Sequence, residues 1–400
     1  MTKSIYRMTD NSNNTPRLRF PGFTGEWVEK PMPELCRTIT PTHKLQSSNY
    51  LAHGQYRVVD QSQSLICGWT NDPKGVIENL PVIIFGDHTC ALKYIDFPFV
   101  QGADGVKILS TKKGYDTRFV FQSFLANPVV QDGYKRHFSV FREKKYFITI
   151  NTDEQQKIAE FLSEIDALIS AQAEKVDALK VHKKGLMQQL FPQQDETTPR
   201  LRFPGFAGEW EEKLLGFVAR KINRRNSNLE VSRVFTNSAN AGIVDQNEYF
   251  DRDIAVKENT HNYHIVIIDD FVYNPRISTA APVGPISVNK IGKGIMSPLY
   301  TVFRFMSGCV SFYEQYFQTS IWHQYLKNVA NYGARFDRMN ITSDDFFKMP
   351  LLLPSIAEQQ KIAECLSEMD ALISAQEQRV ELLKAHKKGL MQQLFPQSDK

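Results

Sequence analysis

The sequence predicts an α+β protein with two globular domains separated by two long antiparallel coiled-coil helices in a pseudo-two-fold arrangement. Three observations predict it. A 39-residue stretch is written twice, at 154–192 and 358–396, with 31 identical positions. A shorter motif, TPRLRFPGFTGEW at 15–27, returns at 198–210 with only Thr24 changed to Ala207. The blocks between, 28–153 and 211–357, differ in length and show no evident similarity. The expected boundaries are a first globular domain over 1–152, a helix over 153–192, a second globular domain over 193–356 and a second helix over 357–396.

The long repeat carries a coiled-coil seam. Ile158, Leu162, Ile165, Ile169, Val176 and Leu179 follow the 4,3 spacing of a and d positions, and Ile362, Leu366, Met369, Ile373, Val380 and Leu383 repeat it. Polar residues interrupt the seam at the same places in both copies, Gln172/Gln376 and Lys183/Lys387. At Lys183 and Lys387, beside Gly185 and Gly389, the seam is expected to open. Asn151 with Glu154, and Ser355 with Glu358, have the spacing of capping boxes. Pro192 and Pro396 end the helices, because proline cannot continue the hydrogen-bond ladder. At ~1.5 Å per residue the repeat would make a rod of roughly 58 Å. Its nearest matching partner is its own copy, and an antiparallel pair of like surfaces has a two-fold axis. Two unrelated coiled coils, each binding other proteins, remain the alternative.

The blocks between mix strand-like runs with turn signals. LPVIIFG at 80–86 and DGVKIL at 104–109 read as buried strands, with a loop-rich stretch between them. Residues 117–130 read as a helix with Phe121, Phe124 and Leu125 on one face, and 312–328 as one amphipathic helix with an aromatic face. The segment 263–305 reads as strand, loop, strand, loop, strand.

Composition excludes several classes. The chain is 42% hydrophobic and 23% charged, which is ordinary for a globular protein. No apolar run is long enough for a transmembrane helix and no signal peptide opens the chain. Five scattered cysteines without a C-x-x-C pair argue for reduced thiols in a cytoplasmic protein. The net charge is +4, and residues 1–153 hold an excess, with 19 Lys+Arg against 14 Asp+Glu. That permits nucleic-acid binding but is too weak to drive it by charge alone. No phosphate loop, dinucleotide fingerprint, Pro-Asp nuclease opening or Asn-Pro-Pro-aromatic signature occurs, and the two histidines of HNYH at 261–264 lack partners for a metal site. The chain is expected to bind no metal and to have no catalytic residues of its own.

Two divergent blocks separated by near-identical helices, each opening EQQKIAE and closing KKGLMQQLFP, with PRLRFPGFAGEW between, resemble the specificity subunit of a type I restriction–modification enzyme. The likeness spans essentially the whole chain. Residues 82–109 and 273–305 also resemble two types of target-recognition domain. One departure is the first block's end, YFITINTDEQQ, which lacks the proline that precedes the second helix in MPLLLPSIAEQQ. The resemblance implies a non-catalytic subunit that reads a bipartite, asymmetric site on double-stranded DNA, one domain per half-site. Two methyltransferase subunits using S-adenosylmethionine would dock on it, and restriction subunits would add translocation and cleavage driven by ATP and Mg²⁺. This chain itself would hold no cofactor.

Base reading needs paired donors and acceptors, and phosphate contact needs cations. The loop positions that offer them in the first domain are Gln61, Gln63, Asn71, Lys74, His88, Thr89 and Lys93, with Lys107, Lys112 and Lys113 toward phosphates. In the second domain they are Asn274, Arg276, Ser278, Asn289 and Lys290, with Lys293, Arg335 and Arg338 toward phosphates.

Overall fold

A computed structural model describes residues 7–8 (backbone only), 14–249, 260–331 and 337–396. The chain divides into two compact units, one of residues 1–174 with 377–400 and one of residues 175–376. The division falls inside both long helices, Thr152–Leu190 and Ile356–Leu394, so each helix contributes one half to each unit.

Within the first unit, the start of the first long helix packs on the end of the second. Ile158, Ala159 and Leu162 share one core with Leu390, Met391, Leu394 and Phe395. Nearer the middle, Asp166 meets Lys387. Position numbers rise on one helix as they fall on the other, so the two halves run antiparallel. The second unit repeats this with the helices exchanged: Leu190 and Phe191 join Ile362, Ala363 and Leu366, and Lys183 meets Asp370. The remaining seam positions Val176, Ile373 and Val380 are buried, while Ile165, Ile169, Leu179, Met369 and Leu383 are half-buried.

The two dissimilar blocks fold on one plan. In the first unit a four-stranded antiparallel sheet takes the spatial order Cys36–Ile39, Val106–Thr111, Val82–Gly86, Leu92–Ile95. In the second, the order Ala219–Lys221, Thr301–Phe305, Phe271–Tyr273, Ile286–Val288 uses the same chain sequence of strands and the same antiparallel pairings. A helix follows each sheet, Thr117–Ala126 or Val310–Phe317. A two-stranded ribbon, Val28–Pro31 with Lys145–Ile148 or Glu211–Leu214 with Pro350–Leu353, then leads into the long helix. The expectation that the blocks are unlike holds for letters and fails for topology.

What differs is added outside this frame. The first unit carries a second four-stranded sheet in which Phe99–Gln101 pairs parallel with Tyr56–Val59. The second unit has two ribbons instead, Phe235–Ser238 with Gly242–Asp245 and His264–Val266 with Gly294–Met296.

The loop-rich stretch after Gly86 also contains the strands Leu92–Ile95 and Phe99–Gln101. Two further sequence expectations need correction. The face of Thr117–Ala126 turned inward holds Phe119, Val120, Gln122, Ser123 and Phe124, with Phe121 and Leu125 only half-buried. The helix expected over 312–328 is two, Val310–Phe317 and His323–Val329. It breaks where the Thr319 hydroxyl bonds to the Tyr316 carbonyl, a local bond that competes with the helix ladder.

Candidate nucleic-acid interface

The frame that presents each unit's outer surface is held by the same contacts twice. Arg19, from the short repeat, makes a bidentate pair with Glu154 at 2.7 and 2.9 Å. Arg202 pairs with Glu358 at 2.8 and 2.7 Å. These glutamates were expected to close capping boxes on their own backbones. Half of each cap forms: Asn151 accepts from the Glu154 N–H and Ser355 from the Glu358 N–H. The carboxylates turn instead to arginine, the stronger charge-assisted partner.

The next residue is also reused. The Gln155 side-chain oxygen accepts from the Asp116 N–H and its amide donates to the Thr149 carbonyl; Gln359 does the same with Cys309 and Pro354. Asp116 and Cys309 open the helices Thr117–Ala126 and Val310–Phe317. Trp27 sits edge-on to Phe119 and Phe395, and Trp210 to Phe312 and Phe191. Both domain helices therefore carry one buried pattern, Phe-x-x-Gln-x-Phe, at Phe119/Gln122/Phe124 and Phe312/Gln315/Phe317. It was the sequence signal of the shared fold.

The seam lysines do not open the helix pair. Lys387 lies 2.7 Å from both oxygens of Asp166, and Gln122 donates to the same carboxylate at 3.3 Å. In the second unit Lys183 bonds Asp370 at 2.7 Å and Gln318 at 3.0 Å, and Gln315 donates to Asp370 at 2.8 Å. An amine at a seam position is tolerable here because an acid from the facing helix neutralises it.

On this frame the positions expected to read DNA separate into free and committed side chains. In the first unit, Gln63, Lys74 and Lys113 are exposed. Asn71 is exposed, but its carbonyl oxygen accepts from the Gln55 N–H, and exposed Lys112 reaches the Pro33 carbonyl. Lys107 is half-exposed, over the Phe138 ring and 3.9 Å from Asp87. Gln61 accepts from the His88 N–H and is wedged against Gly86 and Gly105, where any Cβ would strike it. The His88 ring stacks on Tyr134. Thr89 and Lys93 are corrections. The Thr89 hydroxyl is bound to the Gln61 carbonyl. Lys93 is 5% exposed and donates to the carbonyls of Asp60 and Ser64. Burial lowers its pKa, opposed by Asp60. Its place in a strand turns it inward to pin the 60–66 loop.

In the second unit Arg276, Ser278, Lys290 and Lys293 are exposed. Lys290 pairs with Glu314 at 2.7 Å and lines a cleft of about 770 Å³ beside the 280–285 loop and the strand Ile286–Val288. Arg338 is half-buried and pairs with Asp337. Arg335 lies outside the described residues. Asn274 and Asn289 are corrections. Asn274 spans the Asn237 carbonyl and the Arg276 N–H. Asn289, 0% exposed, spans the Gly292 carbonyl and the Ile291 N–H. Their amides satisfy buried backbone groups, which would cost free energy if left unpaired.

One basic run was not singled out from the sequence: Arg220, Lys221, Arg224 and Arg225, four cations in six residues, all exposed. Arg224 and Arg304 both bind the fully buried Asp270, while Arg225 bonds the Asn262 carbonyl. Close by, His264 is buried beside Arg225 and Lys221, and burial together with those charges lowers its pKa to about 4. A count of local charge would have found the run.

The two units thus share one duplicated frame with equivalent internal anchors and carry different outer strands. The chain is 22% identical over 381 residues to the EcoR124I/EcoR124II type I restriction enzyme specificity subunit of Escherichia coli, covering 88% of this chain and 89% of the relative. It is 25% identical over 259 residues to a putative type I specificity subunit, MjaX, of Methanocaldococcus jannaschii, where the match covers 61% of this chain and 56% of the relative. Among solved structures, it superposes on the type I restriction–modification S subunit of M. genitalium with a TM-score of 0.59, at 13% identity, over 96% of this chain and all of the other. A chain from a study of type I restriction–modification complex assembly gives a TM-score of 0.50, at 14% identity, over 91% and 96%. No protein-family model matches. The curated relatives and the solved neighbours are thus specificity subunits and components of type I restriction–modification enzymes, the family whose likeness the repeats carry. Among the described residues no helix is long and apolar enough to cross a membrane.

Proposed function

We propose that this chain is the non-catalytic DNA-recognition subunit of a type I restriction–modification complex, each unit reading one half of a bipartite, asymmetric site. The observation that carries the reading is the double use of one frame. Anchors such as Arg19–Glu154 and Arg202–Glu358 are reproduced, while the strands and loops mounted on them are not. Selection for identical internal contacts with different outer surfaces fits a protein that must hold two readers alike and read two sequences.

The paired helices would set the spacing between half-sites and dock two methyltransferase subunits. Leu168 and Leu372 support the docking role: they are equivalent positions on the two helices, and both are exposed. S-adenosylmethionine, ATP and Mg²⁺ would belong to the partner subunits, and the complex would work in the cytoplasm.

The deciding experiment is to express this chain with its methyltransferase partner and map methylated adenines across a genome. A single two-part motif with a fixed unspecified spacer is the expected result. Methylation without sequence preference would leave only a protein-binding scaffold.

A further inference from the structure

Residues 130–136 of the first unit, where the sequence placed only the end of a helix reaching Val130, form an exposed loop. Val130 is 81% exposed and Tyr134 85%, and Gln131, Lys135 and Arg136 are exposed beside them.

The loop is held at its base. His137 is buried, and its N–H and that of Phe138 donate to the Asp87 carboxylate at 3.0 and 2.9 Å. The His137 Nε2 accepts from the Asp132 N–H at 3.0 Å, so Nδ1 carries the proton and faces the Asp87 carbonyl at 3.2 Å. Lys144 bonds the Pro128 carbonyl on the other side. At the tip, Tyr134 stacks on His88, with ring centroids 4.8 Å apart and planes 11° apart. Lys135 pairs with Asp132. These contacts hold an aromatic stack beside two cations, with little ordering left to pay on binding.

In the second unit residues 337–339 lie against the turn that follows Phe271–Tyr273, as His137 lies against Asp87 just after Val82–Gly86. There Met339 donates to the Pro275 carbonyl, Ile277 donates to the Asp337 carbonyl, and Arg276 bridges Arg338. Two of the expected DNA-contacting residues, Arg276 and Arg338, are on that ladder.

We infer that the 130–136 loop is a DNA-contacting element of the first unit, with Lys135 and Arg136 on phosphates and the Tyr134–His88 stack against base edges. The inference rests on the proposed DNA reading and adds the element that delivers it. Cations fix position on the backbone without reading sequence, whereas groups at base edges carry selectivity.

The test uses the full chain in complex with its methyltransferase subunits. Binding is measured by fluorescence anisotropy from low to moderate salt, on a labelled duplex carrying the mapped methylation motif and on variants with one half-site changed. The double variant Lys135→Ala/Arg136→Ala should weaken binding to every duplex and make the slope of log affinity against log salt shallower by about two. Tyr134→Ala should relax selectivity at one half-site and leave the other unchanged. Because these side chains are exposed, thermal unfolding should be unaltered. If the unsubstituted complex is selective and both variants match it in slope and selectivity, the loop inference is overturned. If the unsubstituted complex shows no selectivity, the DNA reading itself falls.

Discussion

Lys387 and Asp166 meet at 2.7 Å, and the positions 204 residues away in the repeat, Lys183 and Asp370, meet at the same distance. Each lysine comes from the C-terminal half of one helix and each aspartate from the N-terminal half of the other. A lysine on a seam would by itself destabilise the pair. Opposite an aspartate it becomes a register mark, because slipping by one heptad would leave both charges facing apolar side chains. The domain helices complete the mark through Gln122 and Gln315.

A double-mutant cycle should detect this coupling. Asp166→Ala strands a half-buried ammonium, and Lys387→Met removes the need for the carboxylate. Both aspartates keep some exposure, so the coupling should be about 1–2 kcal/mol, below that of a fully buried pair. Chemical denaturation of the four proteins measures it. Additive single effects would mean the pair is ornamental. The exchanged variant Asp166→Lys/Lys387→Asp should recover most of the loss.

Arg19 and Glu154 are a harsher case. Their side chains are 6% and 1% exposed, and the arginine also donates to the Gly25 and Thr24 carbonyls. Glu154→Ala would leave a buried guanidinium without its counter-charge, a loss of about 3–5 kcal/mol. Glu358→Ala should cost less, since Arg202 is 18% exposed and water can reach it. Calorimetry that orders the two variants the other way would contradict the geometry.

His264 gives the second unit an acid sensitivity. Its pKa in the fold is about 4, lowered by burial and by Arg225 and Lys221. In the unfolded chain it titrates near ~6.5. Between those values the unfolded state binds more protons, so stability is complete above about pH 6.5 and falls as pH drops toward 4. The loss reaches about 3 kcal/mol. His264→Gln should flatten that part of the stability–pH curve, and an unchanged curve would show that the histidine is not held neutral.

Much of the architecture was legible because it is written as periodicity and repetition. The seam spacing, the prolines at 192 and 396 and the strands at 82–86 and 106–111 need only local information. What was not legible depends on partners far along the chain. Glu154 looked like a capping residue because its arginine is 135 positions away. Lys183 looked like a defect because the facing aspartate belongs to the other helix. Asn289 and Asn274 looked like readers because an exposed amide and one that closes a buried turn have the same letters around them. The common frame stayed hidden because Phe-x-x-Gln-x-Phe survives amid otherwise unrelated residues.

The burial of Lys93 sets it apart from the exposed lysines of the first unit. Lys113 and Lys74 are exposed, so neutralising either should make the salt dependence of DNA binding shallower by about one and leave stability within about 0.5 kcal/mol. Lys93 holds the Asp60 and Ser64 carbonyls from a buried position in the strand Leu92–Ile95. Lys93→Met keeps most of the side-chain volume but removes both bonds to part-buried carbonyls, at a cost of about 1–3 kcal/mol in all. Its effect on DNA should therefore come through the displaced 60–66 loop, as altered selectivity at one half-site with the salt slope retained. Anisotropy titrations of the three variants, run beside thermal unfolding, make the distinction. A shallower slope for Lys93→Met with undiminished stability would return that residue to the DNA-contacting set.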